Sequence, residues 1–238
     1  MLLIGGCLTV GFVCAAVAAL QPSLSSVWTT SSAYAVTLIA DERSDAWQLA
    51  NRMFAIGIWF TVAGLAALTM VLGRRSREPM LSGAALALAT AAATLWTVNL
   101  TFRLTVMTSV AAAGPAVPDW YPHISFWADE GLLTAAALIG GPAMILYGLA
   151  VVTERVLARW TGWFSAGCGL LLLGQAVPTG DVVPALLYLA PLPLGIAALL
   201  RAARAAPAAV EPAAPSSTLL GRGVSAWCPL WMPVHFVM

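Results

Sequence analysis

The residue most able to do chemistry in this chain is Arg103, a charged side chain inside a long apolar run. A charge is costly in lipid, so an ionisable residue in a membrane-spanning segment marks a functional site by default. The residues that share its face at helical spacing are Trp96, Asn99 and Met107. This face is predicted to line a polar cavity or a helix contact. The carboxylates able to neutralise the arginine are Asp129, Glu130 and Asp181.

The depth of Arg103 favours a structural role over a ligand or ion site. At ~1.5 Å per residue, a helix that starts near Met80 reaches Arg103 after ~35 Å, whereas the hydrocarbon core is ~30 Å thick. Arg103 is therefore predicted near the outer interface, as an anchor that snorkels to water or as a structural ion pair. Asn99 lies deeper, and its expected use is a hydrogen bond between helices.

A second polar cluster lies between Pro118 and Glu130, where His123 and three carboxylates stand among four aromatic residues. Catalytic zinc usually needs three protein ligands at defined spacing, and the chain has two histidines, so no metal site is predicted. The favoured interpretation is an aromatic belt at the membrane interface, with Asp129 and Glu130 at a helix N-terminus. The alternative is a lid over an outward-facing pocket.

Composition predicts that lipid covers much of this protein. Of its 238 residues, 61% are hydrophobic and 9% are charged, whereas a soluble domain carries about 25% charged residues. No basic stripe with interleaved aromatic residues is present, so no nucleic-acid partner is predicted. The sequence has no Walker loop, no GxGxxG before a strand, no HExxH and no Ser-His-Asp set. Neither a cofactor nor a catalytic residue is therefore predicted.

Six apolar segments come close to the ~20 residues that a spanning helix needs. They cover about 2–20, 53–72, 81–112, 131–152, 163–177 and 182–200. The predicted fold class is all-α, an integral membrane bundle of six transmembrane helices within residues 1–204. The first segment has a rival interpretation as a signal peptide, against which the missing positive charges before it argue. Residues 205–238 form an Ala/Pro-rich tail that is predicted to be disordered.

The placement of the arginines predicts the orientation of the bundle. Alternate connections and the stretch after the sixth segment carry Arg74, Arg75, Arg77, Arg155, Arg159, Arg201 and Arg204. The connections on the other side carry Arg43 and Arg52. We therefore expect a multi-pass protein of the inner (plasma) membrane with both termini in the cytoplasm. All eleven basic residues are arginine, a usage typical of a GC-rich bacterial genome.

Helix breakers and small residues are weaker signals. Residues 140–142, Gly-Gly-Pro, are predicted to interrupt the fourth helix, and three prolines the sixth: Pro184, Pro191 and Pro193. Broken helices line many substrate sites, but Gly and Pro are also frequent in ordinary membrane helices. Small residues recur at every fourth position at Ala85, Ala89 and Ala93. They predict close helix packing, within the chain or in a homo-oligomer.

Two stretches carry a resemblance to a known group of proteins. They are GLAALTMVLGRRSREPM at 64–80 and LYGLAVVTERVLARWTGWFSAGCGLLLL at 146–173. A helix that ends in a basic loop, and an Arg159-Trp160 pair that opens a Gly-rich helix, resemble an uncharacterised domain-of-unknown-function family of bacterial six-helix membrane proteins. The resemblance implies six spans and no catalytic residue. The outer loop rich in proline and aromatic residues, and the tail, depart from the family.

The sequence predicts a non-enzymatic membrane component, an accessory, scaffold or lipid-interacting protein, because few polar residues lie within the spans. Its expected partners are membrane lipids and a second copy or another membrane protein. The first alternative is a small-molecule or ion transporter with a site near Asn99 and Arg103, to which Asp129 and Glu130 would contribute. The second alternative is a membrane enzyme that uses Asp129, Glu130 and His123 at the outer interface.

Overall fold

The computed structural model describes residues 1–40, 43–74, 80–114, 116–180 and 182–205. These residues are helical almost throughout, and no strand occurs among them. The predicted all-α fold class is therefore confirmed. The predicted tail lies outside the described residues, apart from Ala205 at the end of the last helix.

The helices in chain order are α1 (Leu2–Ala19), α2 (Ser32–Ala40), α3 (Ser44–Gly73), α4 (Met80–Ala112), α5 (Tyr121–Glu154), α6 (Arg159–Thr179) and α7 (Ala185–Ala205). A 3-10 turn (Pro22–Leu24) and one helical turn (Ser25–Trp28) lie between α1 and α2. Within the described residues, α1, α3, α4, α5 and α7 are long and apolar enough to cross a membrane. α6 falls outside this group because its glycines, its tryptophans and Gln175 lower its mean hydropathy.

Several predicted boundaries are wrong. The six predicted segments leave loops at about 21–51 and 114–130, but both stretches are partly helical, since α2 and the first turns of α3 and α5 lie within them. Hydropathy marks only the apolar centre of a helix, whereas these polar ends are stabilised by packing. The fourth helix is not interrupted, because α5 continues through Pro142. The sixth predicted helix is broken, at Ala190 and Pro191 of α7.

Neighbouring helices run antiparallel. On α3, Gly57 packs on Gly11 of α1 and Gly64 packs on Leu8. Residue numbers therefore increase along α3 in the direction in which they decrease along α1. The contacts of α3 with α4, α4 with α5, α5 with α6 and α1 with α7 follow the same rule. The start of α1 and the ends of α3, α5 and α7 therefore lie at one end of the bundle.

We call this the arginine end, because five described arginines lie there: Arg74, Arg155, Arg159, Arg201 and Arg204. Arg155 ends α5 in the left-handed conformation, with φ of 52°. Arg201 donates a hydrogen bond to the Val156 carbonyl and so ties α7 to the α5–α6 connection. The opposite end carries Arg43 and Arg52. It is covered by α2, which contacts the C-terminal end of α4 and the N-terminal end of α5. We call it the capped end.

Small residues bring helix backbones together. Gly148 faces Gly162 across the α5–α6 contact, and Gly141 faces Gly169 two turns away. A Cβ on Gly162 or Gly169 would come within 2.5 Å of the carbonyl oxygen of the facing glycine, so neither position accepts a side chain without a shift. The predicted alanine stripe of α4 is buried within the chain, at Ala85, Ala89 and Ala93.

We expect Gly148→Ala to lower the free energy of unfolding by ~1–3 kcal/mol, because the added methyl overpacks the α5–α6 contact. Gly167→Ala is the matched control on α6, since a Cβ there meets nothing within 4 Å. Denaturant unfolding of the full chain in one detergent measures both. Equal effects of the two substitutions would contradict the close contact.

Candidate functional site

Arg103 of α4 and Asp129 of α5 form a buried ion pair. Nε of Arg103 lies 2.5 Å from Oδ1 of Asp129, and the two side chains are 8% and 7% exposed. Of the two structural roles predicted for Arg103, the ion pair is the one observed, because protein encloses the guanidinium instead of leaving it at the surface. Asp129, one of the three predicted carboxylates, supplies the counter-charge, and Asp181 lies outside the described residues.

Asn99 joins the same pair. Its Nδ2 donates to the backbone oxygens of Ala128 and Asp129, at 3.1 and 2.6 Å, and to Oδ1 of Asp129 at 3.1 Å. The predicted interhelical hydrogen bond is therefore present. We call Asn99, Arg103 and Asp129 the polar centre. Glu130, the fourth predicted site residue, follows Asp129 in the same π turn and is half-buried.

Both charges lie in π-helical turns, at Arg103–Met107 in α4 and at Phe126–Gly131 in α5. A π turn bonds each carbonyl to the fifth residue onward, so a helix that enters one leaves carbonyl oxygens for other donors. The Arg103 carbonyl accepts from Nε1 of Trp47 at 3.3 Å and from Oγ1 of Thr108 at 3.1 Å. Asn99, Trp47 and Thr108 thus donate to backbone carbonyls of the two π turns.

Aromatic rings enclose the guanidinium of Arg103. Its Cζ lies 5.7 Å from the ring centre of Trp47 and 5.4 Å from that of Trp96, within the range of cation–π attraction. Nε1 of Trp96 donates to the Tyr188 hydroxyl at 2.7 Å, and that hydroxyl donates to the Phe54 carbonyl at 2.8 Å. These rings separate the polar centre from the arginine end and link α3, α4 and α7.

Sequence reasoning missed two residues next to this centre, Trp47 and Asn51. Both are fully enclosed, and Nδ2 of Asn51 donates to the Trp47 carbonyl at 2.8 Å. The second segment is predicted to begin near 53, which leaves both positions in a loop. The helical spacing of Trp47, Asn51 and Phe54 is a signal that a longer predicted helix would have used.

The residues named for a membrane enzyme are divided between two environments. His123 is exposed on the first turn of α5, whereas Asp129 is committed to its ion pair. Within the described ranges, no three His, Cys, Asp or Glu side chains come together as a metal site. Trp120, Phe126 and Trp127 are exposed, as an aromatic belt requires.

No protein-family model, curated protein or solved structure matches the chain. The resemblance to a domain-of-unknown-function family therefore stays a prediction. Any role for the protein has to be inferred from the geometry of the polar centre and the character of the helices around it.

We expect Asp129→Ala to lower the free energy of unfolding by ~3–5 kcal/mol, because it leaves the Arg103 charge buried without a partner. Asp45→Ala removes an exposed carboxylate near the same end and serves as the control, with an expected change within ~0.5 kcal/mol. Unfolding of the full chain in mixed micelles measures both. A loss at Asp129 no larger than that at Asp45 would contradict a buried ion pair.

Proposed function

We propose that this protein is a six-span integral protein of the inner (plasma) membrane with both termini in the cytoplasm. It acts as a non-enzymatic component, an accessory, scaffold or lipid-interacting subunit, whose spans are held in register by the Arg103–Asp129 ion pair. Support for embedding comes from the five helices that are long and apolar enough to cross a membrane. The resemblance to six-helix membrane proteins implies the same number of spans.

The packing of α6 supports its inclusion as the sixth span. Its 21 residues extend ~31 Å, about the thickness of the hydrocarbon core. It lies antiparallel to α5 along both glycine pairs, and Oγ of Ser165 donates to the Ala190 carbonyl of α7 at 2.7 Å. Its outward face is apolar and exposed, at Leu170, Leu171 and Val177. Lipid is the solvent that suits this face.

Aromatic side chains at both ends support the same placement. Exposed rings at the capped end are those of Trp120, Phe126 and Trp127, and at the arginine end those of Trp160, Trp163 and Phe164. Tryptophan is enriched at both membrane interfaces. The five arginines at one end favour the cytoplasm for that end, by the positive-inside rule.

The observation that carries the non-enzymatic role is the mutual neutralisation of Arg103 and Asp129. Among the described residues, these are the buried charged side chains. The interior between them and the arginine end is mainly apolar, and it includes a small cavity of about 30 Å³ that Ala89, Gly140 and Met144 help to line. A hydrophilic pathway needs polar groups along its length, whereas this arrangement favours helix packing.

We expect Thr179→Cys to react with a membrane-impermeant maleimide in intact cells, and Ala158→Cys to react only after permeabilisation. These positions end and precede α6, and both are exposed. The native cysteines are replaced by serine in both variants. Labelling of both positions from the same side would contradict a spanning α6 and leave five spans.

The second candidate function is a small-molecule or ion transporter, and the two π turns favour it, because such turns are frequent at functional sites. In proteoliposomes, jumps in sodium, potassium or proton concentration would then produce a current. The double variant Arg103→Met/Asp129→Leu removes both charges while preserving volume, so it is expected to stay folded. The non-enzymatic role predicts no current from either protein, whereas a current that only the double variant loses would favour transport.

A further inference from the structure

Four buried polar atoms around the polar centre have no hydrogen-bond partner. Two are donors, Nε1 of Trp28 and Nη1 of Arg103, and two are acceptors, Oδ1 of Asn51 and Oδ1 of Asn99. The amide nitrogens of both asparagines donate to backbone carbonyls, which can only accept, so each amide oxygen must be the free end. Unpaired buried groups of this kind are costly and call for an explanation.

The register of α3 against α4 places the two asparagines at one level. Two contacts set that register: Trp47 with Arg103, and Phe54 with Trp96. Since the helices are antiparallel, Asn51 lies opposite Asn99, midway between the two contacts. Both asparagines are fully enclosed.

Trp28 covers this level from the capped end. Its ring lies 5.3 Å from the Trp47 ring and 6.1 Å from the Phe54 ring, the residues on either side of Asn51 along the same face of α3. We call Trp28, Asn51, Asn99 and Arg103 the asparagine layer. It has apolar aromatic walls and presents two free donors and two free acceptors.

The charge of the layer limits what it could hold. Asp129 neutralises Arg103, so an added ion would be buried without a counter-charge, which is strongly unfavourable. A net-neutral molecule with donors and acceptors of its own is the class of ligand that can pair with unpartnered atoms of both kinds. The hydrogen-bonded rings of Trp96 and Tyr188 close the layer toward the arginine end. The layer is therefore suited to binding and has no continuation as a pathway.

We propose that the asparagine layer is a binding site for a small uncharged molecule that carries both hydrogen-bond donors and acceptors, entered from the capped end and closed in this structure by Trp28. Trp28 belongs to a single helical turn between the 3-10 turn and α2, so it can move without unwinding a long helix. This inference rests on the proposed function in one respect: the orientation in the membrane decides from which side the molecule enters.

Thiol labelling of the full chain in liposomes tests the site, with the native cysteines replaced by alanine. The reagent is methyl methanethiosulfonate, which is small and uncharged. We expect Asn51→Cys to react about tenfold faster than Ala85→Cys, an equally buried position of α4 nearer the arginine end, because only the layer opens locally. Adding Trp28→Ala should speed the reaction at Asn51→Cys further, since it removes the cover.

Acetamide, an uncharged probe with N–H donors and a carbonyl acceptor, separates a binding site from simple hydration. It should slow labelling of Asn51→Cys several-fold and leave Tyr34→Cys, an exposed position of α2, unchanged. Labelling of Asn51→Cys no faster than that of Ala85→Cys would overturn the site. Labelling that is fast but insensitive to acetamide would show that the layer admits only water, and this result would also overturn the proposal.

Hydroxyl-radical footprinting of the unsubstituted chain covers the case in which Asn51→Cys fails to fold. We expect oxidation of Trp47 well above that of Tyr147, normalised for intrinsic reactivity, because both are fully buried but only Trp47 borders the layer. Background oxidation of both would contradict the site. If the maleimide labelling of Thr179→Cys and Ala158→Cys contradicted a spanning α6, the results at the asparagine layer would still stand. The proposed function and the proposed binding site can therefore be overturned independently.

Discussion

A buried charge pair, Arg103 with Asp129, holds the capped half of the bundle together. Both side chains are more than nine-tenths enclosed, so separating them would leave two buried ions without a partner. α4 and α5 must therefore keep one register at this point. The Asn99 amide and the Trp47 indole add α3 and the backbone of both π turns to the same arrangement.

The helices are packed by different residue types in the two halves of the bundle. In the capped half, large rings surround the charges, and Phe54 contacts the rings of Trp28, Trp96 and Tyr188. In the arginine half, glycines bring backbones into contact, as Gly148 and Gly162 do between α5 and α6. In the proposed membrane setting, lipid gives helices little hydrophobic reason to associate, so close approach and polar contacts set the arrangement. Each half uses one of these two means.

Much of the helical architecture could be predicted from the sequence, because long apolar runs report directly on helices long enough to cross a membrane. The ends of α3 and α5 could not, since a polar helix end and a loop have similar hydropathy. Asn51 was missed for this reason. Pro142 was misread as a break, although α5 accommodates it without ending.

The ion pair could be predicted only in part from the sequence. Arg103 and Asp129 were both candidates, but neighbouring residues of a helix point ~100° apart, so Glu130 could not be separated from Asp129 without the fold. The π turns decide that orientation, and no spacing rule in the sequence predicts them. The unpaired atoms of Asn51 and Asn99 likewise emerge only when α3 and α4 are set in register.

A double-mutant cycle on Arg103 and Asp129 tests most directly whether this pair organises the bundle. The free energy of unfolding is measured for the unsubstituted chain, Arg103→Met, Asp129→Leu and the double variant in one detergent. We predict a coupling energy of about 2 kcal/mol or more, with the double variant more stable than either single variant. Additive losses, with a coupling energy near zero, would contradict the central role of the pair.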